Sequence, residues 1–384
     1  SLAVLEKQEN QSDEIKTQIE EIKKQLLETR ANAIQILRRG LALVVTDSDI
    51  DIVNQTRQLL AYLLYLDKSY RDAAVVGSFL ARNAPATEAG LKGGLLALNS
   101  FQLALMENGE NTALIEHLEE LGTYLIKTWP NDAEVASAQG VMIKLALRND
   151  RWDDARDMVN KMPDGPERPF FKRLMGQLLW NESVQSLQAG KADESNEFLV
   201  QAEAELRAGL DGITGNIVDP EGMNSALILT KIYLLQGEIQ KAAQTLDHKV
   251  YGPANLMEKQ GPPDKAFTTD LYSTELKIVV QRMTSDDGDP QTLLDRAIDV
   301  MEKLRASIDG PDAQKRLTRI FIEMATQIRQ QLGTSTPEKK AKLNDAFRVF
   351  LDRISTTTED SATLTWVGNT LMDLAEASMK PNQT

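Results

Sequence analysis

Apolar residues along this chain recur at intervals of three and four. Leu59, Leu60, Leu63 and Leu64 form one such group, Leu114, Leu118, Leu121 and Leu125 another, and Leu317, Ile320, Phe321, Met324 and Ile328 a third. This spacing lays the apolar side chains along one face of an α-helix, and almost no segment alternates with the period of two that a half-buried strand requires. Short clusters rich in Gly, Pro, Asn and Asp separate the periodic stretches, as at Asn83-Ala84-Pro85, Trp129-Pro130-Asn131-Asp132, Met162-Pro163-Asp164-Gly165-Pro166 and Asp309-Gly310-Pro311. The pattern predicts an all-α fold.

The first 45 residues carry a different period. Ile15, Ile19, Ile22, Leu26, Ala33 and Ile36 fall on the a and d positions of a heptad, with Leu5 and Ser12 in the same a register and Glu, Lys and Gln elsewhere. Gln8 and Thr29 interrupt the d positions with polar side chains. Two readings follow. Residues 1–40 form a short coiled coil that joins two copies of the chain, or they form one long amphipathic helix that caps its own domain. Either way the expected division is an N-terminal helical segment at 1–45 and a helical array at 46–384.

Within the array the helices repeat loosely. Leu60 to Ala73, Met142 to Ala155 and Leu229 to Ala242 each read as a helix of apolar and small residues, a break, then a bulky residue three positions before an alanine. The bulky residues are Tyr70, Trp152 and Ile239, the alanines Ala73, Ala155 and Ala242, and the turn has a glycine at Gly237. Following Ala73, Val75 to Pro85 reads as a second helix closed by proline, and Leu118 to Pro130 is similar. First helices are expected to start near 52, 91, 133, 170, 222, 269, 312 and 362, which makes about seven helical hairpins and a final single helix. Extra residues are expected in loops at 209–222, 249–264 and 284–290.

This arrangement resembles the tetratricopeptide repeat (TPR), in a degenerate form whose spacing of 37 to 52 residues exceeds the family's 34. The resemblance implies a right-handed α-α superhelix whose first helices line a concave groove for an extended peptide or a partner helix. Carried over to the three matching hairpins, it puts Gln58, Tyr62 and Tyr65 on that face, then Lys144 and Arg148, then Lys231. Basic residues in the groove of an acidic chain would hold a carboxylate or acidic segment of a protein partner.

Composition narrows the chemistry. Of 384 residues none is cysteine and only His117 and His248 are histidine. Disulfides, thiolate metal sites, iron–sulfur clusters and multi-histidine sites are thereby excluded. Forty-three basic against 57 acidic residues give a net charge of −14, with no run of five Lys or Arg, so nucleic acid is not an expected partner. No apolar stretch is long enough to span a membrane, and the N-terminus lacks a signal pattern. The chain as given is expected to be soluble, cytoplasmic or exported according to what precedes Ser1.

Motifs that invite a catalytic or metal reading fail on geometry. Asp47, Asp49 and Asp51 lack the glycine and glutamate of a calcium loop, where Ile52 and Gln58 stand instead, and are expected to cap a helix. Gly90, Gly93 and Gly94, and the run Gly209 to Gly215, lack the strand and the Lys-Ser/Thr of a phosphate loop. His117 and His248 are expected on solvated helical surfaces, and Trp152, Trp180 and Trp366 between helices. No cofactor is expected. The functional expectation is a non-enzymatic protein-interaction scaffold. Its competitors are an α/α-toroid enzyme acting on a sugar or lipid, and a structural subunit that dimerises through its N-terminal helix.

Overall fold

The computed structural model describes residues 13–108, 111–130, 132–214, 218–284, 290–308, 313–334 and 337–379. Among them it holds seventeen α-helices and no strand. Contacts divide the chain into two compact units, Ser1–Pro163 and Asp164–Thr384.

In the first unit α1 (Asp13–Ala42) precedes three hairpins. These are α2 (Ile50–Leu66) with α3 (Tyr70–Asn83), α4 (Glu88–Asn108) with α5 (Thr112–Thr128), and α6 (Ala136–Arg148) with α7 (Trp152–Lys161). Each second helix packs on its own partner, and α3 and α5 pack also on the first helix of the next pair. The first helices adjoin in the order α2, α4, α6. This is hairpin-on-hairpin stacking, in which each repeat buries its apolar face against its neighbours. Its central core runs from Ala74 and Ala81 through Leu98, Phe101, Leu118 and Leu121 to Ala138 and Met142. The glycines of α4 are sites of close helix packing. A Cβ at Gly93 would meet that of Leu80 at 2.9 Å, and one at Gly94 would meet Leu125 Cδ2 at 2.5 Å.

The second unit repeats the scheme with α8 (Glu167–Gln188) and α9 (Ala192–Asp211), α10 (Pro220–Leu235) and α11 (Ile239–Leu246), α13 (Lys265–Thr284) and α14 (Pro290–Ser307), and α15 (Ala313–Thr334) and α16 (Pro337–Thr357). A single helix, α17 (Ser361–Met379), packs on α16. First helices again adjoin, α8 with α10, α10 with α13 and α13 with α15. The expected loop at 249–264 instead contains a short helix, α12 (Pro253–Gln260), because Pro253 opens it with a preset φ and Gln260 ties its end to the Val218 carbonyl at 2.6 Å. The loop at 285–289 lies outside the described residues.

The hairpin turns explain the sequence signature. Lys68, Asp150, Gly190 and Gly237 all take positive φ, at 62°, 54°, 77° and 76°. Each is two residues before a second helix, and the next residue donates its amide to the carbonyl five positions back: Ser69 to Leu64, Arg151 to Ala146, Lys191 to Ser186 and Glu238 to Tyr233, at 2.8–2.9 Å. These are Schellman caps, which satisfy the last carbonyls of the first helix while reversing the chain. Tyr70, Trp152 and Ile239 then open the second helices, and Ala73, Ala155 and Ala242, one turn on, are fully buried.

The N-terminal helix folds onto its own unit. Ile34, Leu37 and Leu41 pack with Leu60, Leu64 and Ala73, and Arg38 forms an ion pair with Asp72 of α3. These apolar residues are at b and e, one position along from the a/d stripe. The a residue Leu26 and the d residue Ile36 are left 51% and 68% exposed. Leu5, Gln8 and Ser12 lie outside the described residues. In the second unit a buried polar clamp joins three helices. Arg173 of α8 donates to Glu221 Oε2 at 2.7 and 2.9 Å and to the Gly209 carbonyl at 3.2 Å, while Gln177 and Ser225 both donate to Glu221 Oε1 at 2.8 Å. The clamp fixes α8, α9 and α10 to one another with every partner hydrogen-bonded.

Candidate functional site

The predicted first-helix residues are distributed unevenly. Tyr62 of α2 is half exposed and Gln58 is half-buried. Tyr65 turns inward against the core of Leu60, Leu64 and Ala73 and meets the edge of Tyr70, ring centroids 5.8 Å apart. Lys144 and Arg148 of α6 are exposed and form no ion pair among the described residues, and α4 stands between them and α2. Lys231 belongs to the second unit. It is mostly buried and forms an ion pair with Asp270 of α13, so its charge is spent within the fold. Within the first unit, α4 thus separates Lys144 and Arg148 from the residues of α2.

Three other residue types resolve clearly. Asp49 accepts from the amides of Asp51 and Ile52 at 2.9 and 3.4 Å and caps α2. His248 is not on a helix. It follows α11, where its Nδ1 accepts from the amides of Val250 and Tyr251 at 3.3 and 3.4 Å and its ring stacks on Tyr251 at 3.7 Å. It is a turn-forming residue, because the chain must leave α11 and re-enter α12 within a few positions. Burial pushes the hydroxyl of Tyr251 up to about 12. Trp366 packs against the core of the second unit, and Trp152 and Trp180 are half-buried.

A concavity of the first unit lies between the second helices α3 and α5, over Phe101 of α4. It encloses about 610 Å³, within the range of ligand-binding clefts. Leu114 and Leu121, both buried, continue its floor, and Val75 and Phe79, 66% and 46% exposed, form its lip. Ser78 Oγ, buried without a hydrogen-bond partner among the described residues, lines the same groove. The rim is basic. It holds Arg82, over Tyr124 at 5.3 Å and 3.9 Å from Glu120, and Arg71, which forms no ion pair among the described residues; Arg57, outside the rim, lies over the Phe79 ring at 4.9 Å. His117 stacks beside Phe101 with centroids 6.0 Å apart.

Family analogy directs attention to the first helices and passes over Val75 and Phe79. A signal for them exists in the sequence. The packed face of α3 is Ala73, Ala74, Gly77, Leu80 and Ala81, so Val75 and Phe79, one turn apart, form a second apolar stripe that the hairpin does not use.

Among the described residues no helix is long and apolar enough to cross a membrane, and no group of three or more His, Cys, Asp or Glu is placed to hold a metal. No family model matches the chain, and no curated protein matches it. Among solved structures, the crystal structure of the P58(IPK) TPR domain is similar at 10% identity over 85% of this chain and 99% of that one, with a TM-score of 0.21. At that score the superposition adds nothing to the helix-by-helix description. The TPR-like character of this all-α repeat protein rests on its own hairpins, their shared turn and the stacking of first helix on first helix.

Proposed function

We propose that this chain is a non-enzymatic interaction scaffold whose first unit binds a segment of a protein partner in the groove between α3 and α5. The observation that carries the reading is the groove itself, apolar at its floor and lip and basic at its rim in a chain of net charge −14. An exposed Phe and Val over a preformed cleft favour an apolar anchor side chain, since each apolar Å² removed from water contributes roughly 25 cal/mol. Arg71 favours a carboxylate beside that anchor. Ser78 Oγ supplies a hydrogen bond that no partner among the described residues uses. The competing face is the first-helix surface with Tyr62, Lys144 and Arg148 exposed and Gln58 half-buried.

The test is a library of short peptides that pair an apolar residue with Asp or Glu, screened by fluorescence anisotropy against four proteins: wild type, Phe79→Glu, Arg71→Glu, and the double variant Lys144→Glu/Arg148→Glu. Phe79 and Arg71 are exposed, so both replacements leave the core intact. Peptides selected by wild type should bind Phe79→Glu and Arg71→Glu at least about tenfold more weakly, about 1.4 kcal/mol each, and the double variant unchanged. Loss of binding in the Lys144/Arg148 variant alone would return the site to the first helices. A library with no binder at all would overturn the scaffold reading for this unit.

A further inference from the structure

Helices supply the walls and the floor of the groove between α3 and α5. These two second helices do not pack on one another along their lengths. Each packs on α4, and Tyr124 Oη donates across the gap to the Ala81 carbonyl at 3.0 Å, near the end of α3.

Helical walls restrict what can lie between them. Their own N–H and C=O groups are spent on i→i−4 bonds, so little backbone is left to pair with an occupant. An extended segment brings one N–H and one C=O per residue, and each needs a partner once water is displaced. The side chains of the groove supply few. Asn83 already donates to the Phe79 carbonyl at 2.8 Å, Asn111 Oδ1 already accepts from the Leu114 amide at 3.2 Å, and Ser78 offers a single hydroxyl. A helix arrives with its backbone bonded internally and presents side chains alone.

The exposed stripe of α3 fits such an occupant. Arg71, Val75, Ser78, Phe79 and Arg82 follow one another at intervals that keep them on one face, all of them lining the groove. The stripe runs roughly 16 Å along the helix axis. Val75 and Phe79, one turn apart, form a ridge of the kind that the groove of a second helix receives at an interaxial distance of about 8–10 Å. Charge differs between the two ends. Arg71 forms no ion pair among the described residues, whereas Arg82 faces Glu120 at 3.9 Å and His117 Nδ1 approaches the same carboxylate to 4.0 Å. A carboxylate is therefore complementary at the Arg71 end and repelled by Glu120 at the other.

Given that the groove between α3 and α5 is the binding site, we propose that its occupant is an amphipathic α-helix of a protein partner, lying along α3 with its apolar stripe over Phe101, Leu114 and Leu121 and a carboxylate beside Arg71. A polar side chain in the middle of that stripe meets Ser78 Oγ and sets the register, as a single polar position does between paired helices.

The probes are amphipathic peptides of about 18 residues, long enough to form a helix. Leu, Ile, Met or Phe recurs in them at three and four, with one glutamate near an end. Each is made with a side-chain staple that holds the helix and again with a central proline that breaks it. In fluorescence anisotropy with the full chain, stapled peptides should bind at least about tenfold more tightly than their proline forms. Phe79→Glu and Arg71→Glu, both at exposed positions, should weaken the stapled peptides at least about tenfold with the circular dichroism spectrum of the protein unchanged. The loss in Arg71→Glu should shrink when the peptide's glutamate is replaced by glutamine. Equal affinity of stapled and proline forms, both lost in Phe79→Glu, overturns the helix and leaves the groove standing. Stapled binding that neither variant weakens puts the helix elsewhere and overturns the proposal. So does a set in which no stapled peptide binds while short extended peptides do. Absence of binding by peptides of either kind overturns the groove reading together with this one.

Discussion

Four hairpins turn through the same Schellman geometry with Lys68, Asp150, Gly190 and Gly237 at the left-handed residue, which isolates backbone strain from every other effect. A Cβ built on Gly190 or Gly237 meets nothing within 4 Å, so at those turns a side chain costs conformation alone. An L residue in the left-handed region costs about 1–2 kcal/mol, whereas glycine there gives up an extra 0.5–1 kcal/mol, roughly, in unfolded-chain entropy. Lys68→Gly should therefore stabilise the first unit by about 0.5–1 kcal/mol, and Gly190→Ala and Gly237→Ala should each destabilise the second by a similar amount. Asp150→Gly should gain less than Lys68→Gly, because aspartate tolerates this region through local hydrogen bonding. Urea denaturation followed by circular dichroism gives the totals. Native-state hydrogen exchange assigns each change to its unit, since two units need not melt together. The reasoning is refuted if Lys68→Gly destabilises, or if Gly237→Ala is neutral while its cap hydrogen bonds persist.

Two further outcomes follow from the buried charges of the second unit. Arg173→Met leaves Glu221 without its guanidinium partner. With Arg173 6% and Glu221 23% exposed, the cost should fall near 3 kcal/mol, about the lower end for a broken buried pair, and Arg173→Met/Glu221→Leu should recover most of it in denaturant unfolding; a double variant no more stable than the single sinks this account. Glu275 has its carboxyl held above the usual range because burial outweighs what Arg296, itself shared with Asp247, returns. Its folded-state value being the higher one, its contribution to stability is present below the ordinary glutamate value of about 4.3 and is lost as pH rises through the raised value. Wild type should lose stability relative to Glu275→Gln across that window in urea titrations, whereas a relative gain would mean that Arg296 dominates.

Periodicity carried most of the architecture. The observed first helices start at Ile50, Glu88, Ala136, Glu167, Pro220, Lys265, Ala313 and Ser361, each within four residues of where the apolar spacing and turn clusters placed them. The reason is local, since a 3.6-residue apolar period and a Gly- or Pro-rich break are properties of a dozen residues. The hairpin of α8 and α9 escaped the signature because Ala192 and Ser195 replace the bulky residue and the alanine. Its small interfacial residue is Ser195, buried and hydrogen-bonded to Ser183 Oγ at 3.0 Å. The helix α12 escaped because eight residues are too few for a period to register.

In α1 the heptad and the packing diverge. The a/d stripe is legible and its residue Ile19 is buried, yet Ile34, Leu37 and Leu41 make the contact with α2 and α3, because which of two adjacent apolar stripes is buried at each turn depends on the groove that receives it. The surroundings of the candidate residues depend on tertiary context in the same way. Tyr62 and Tyr65 read alike in sequence, but one faces outward and the other fills a core. Lys144 and Lys231 read alike, but Asp270, 39 residues on, neutralises only the second. Taken alone, the sequence determined that this protein is helical, repeating, acidic and without the side chains for thiol or multi-histidine chemistry. Only the tertiary structure decided which apolar stripes are spent on packing and which charged side chains are paired, because burial and charge pairing are set by residues far apart in the chain.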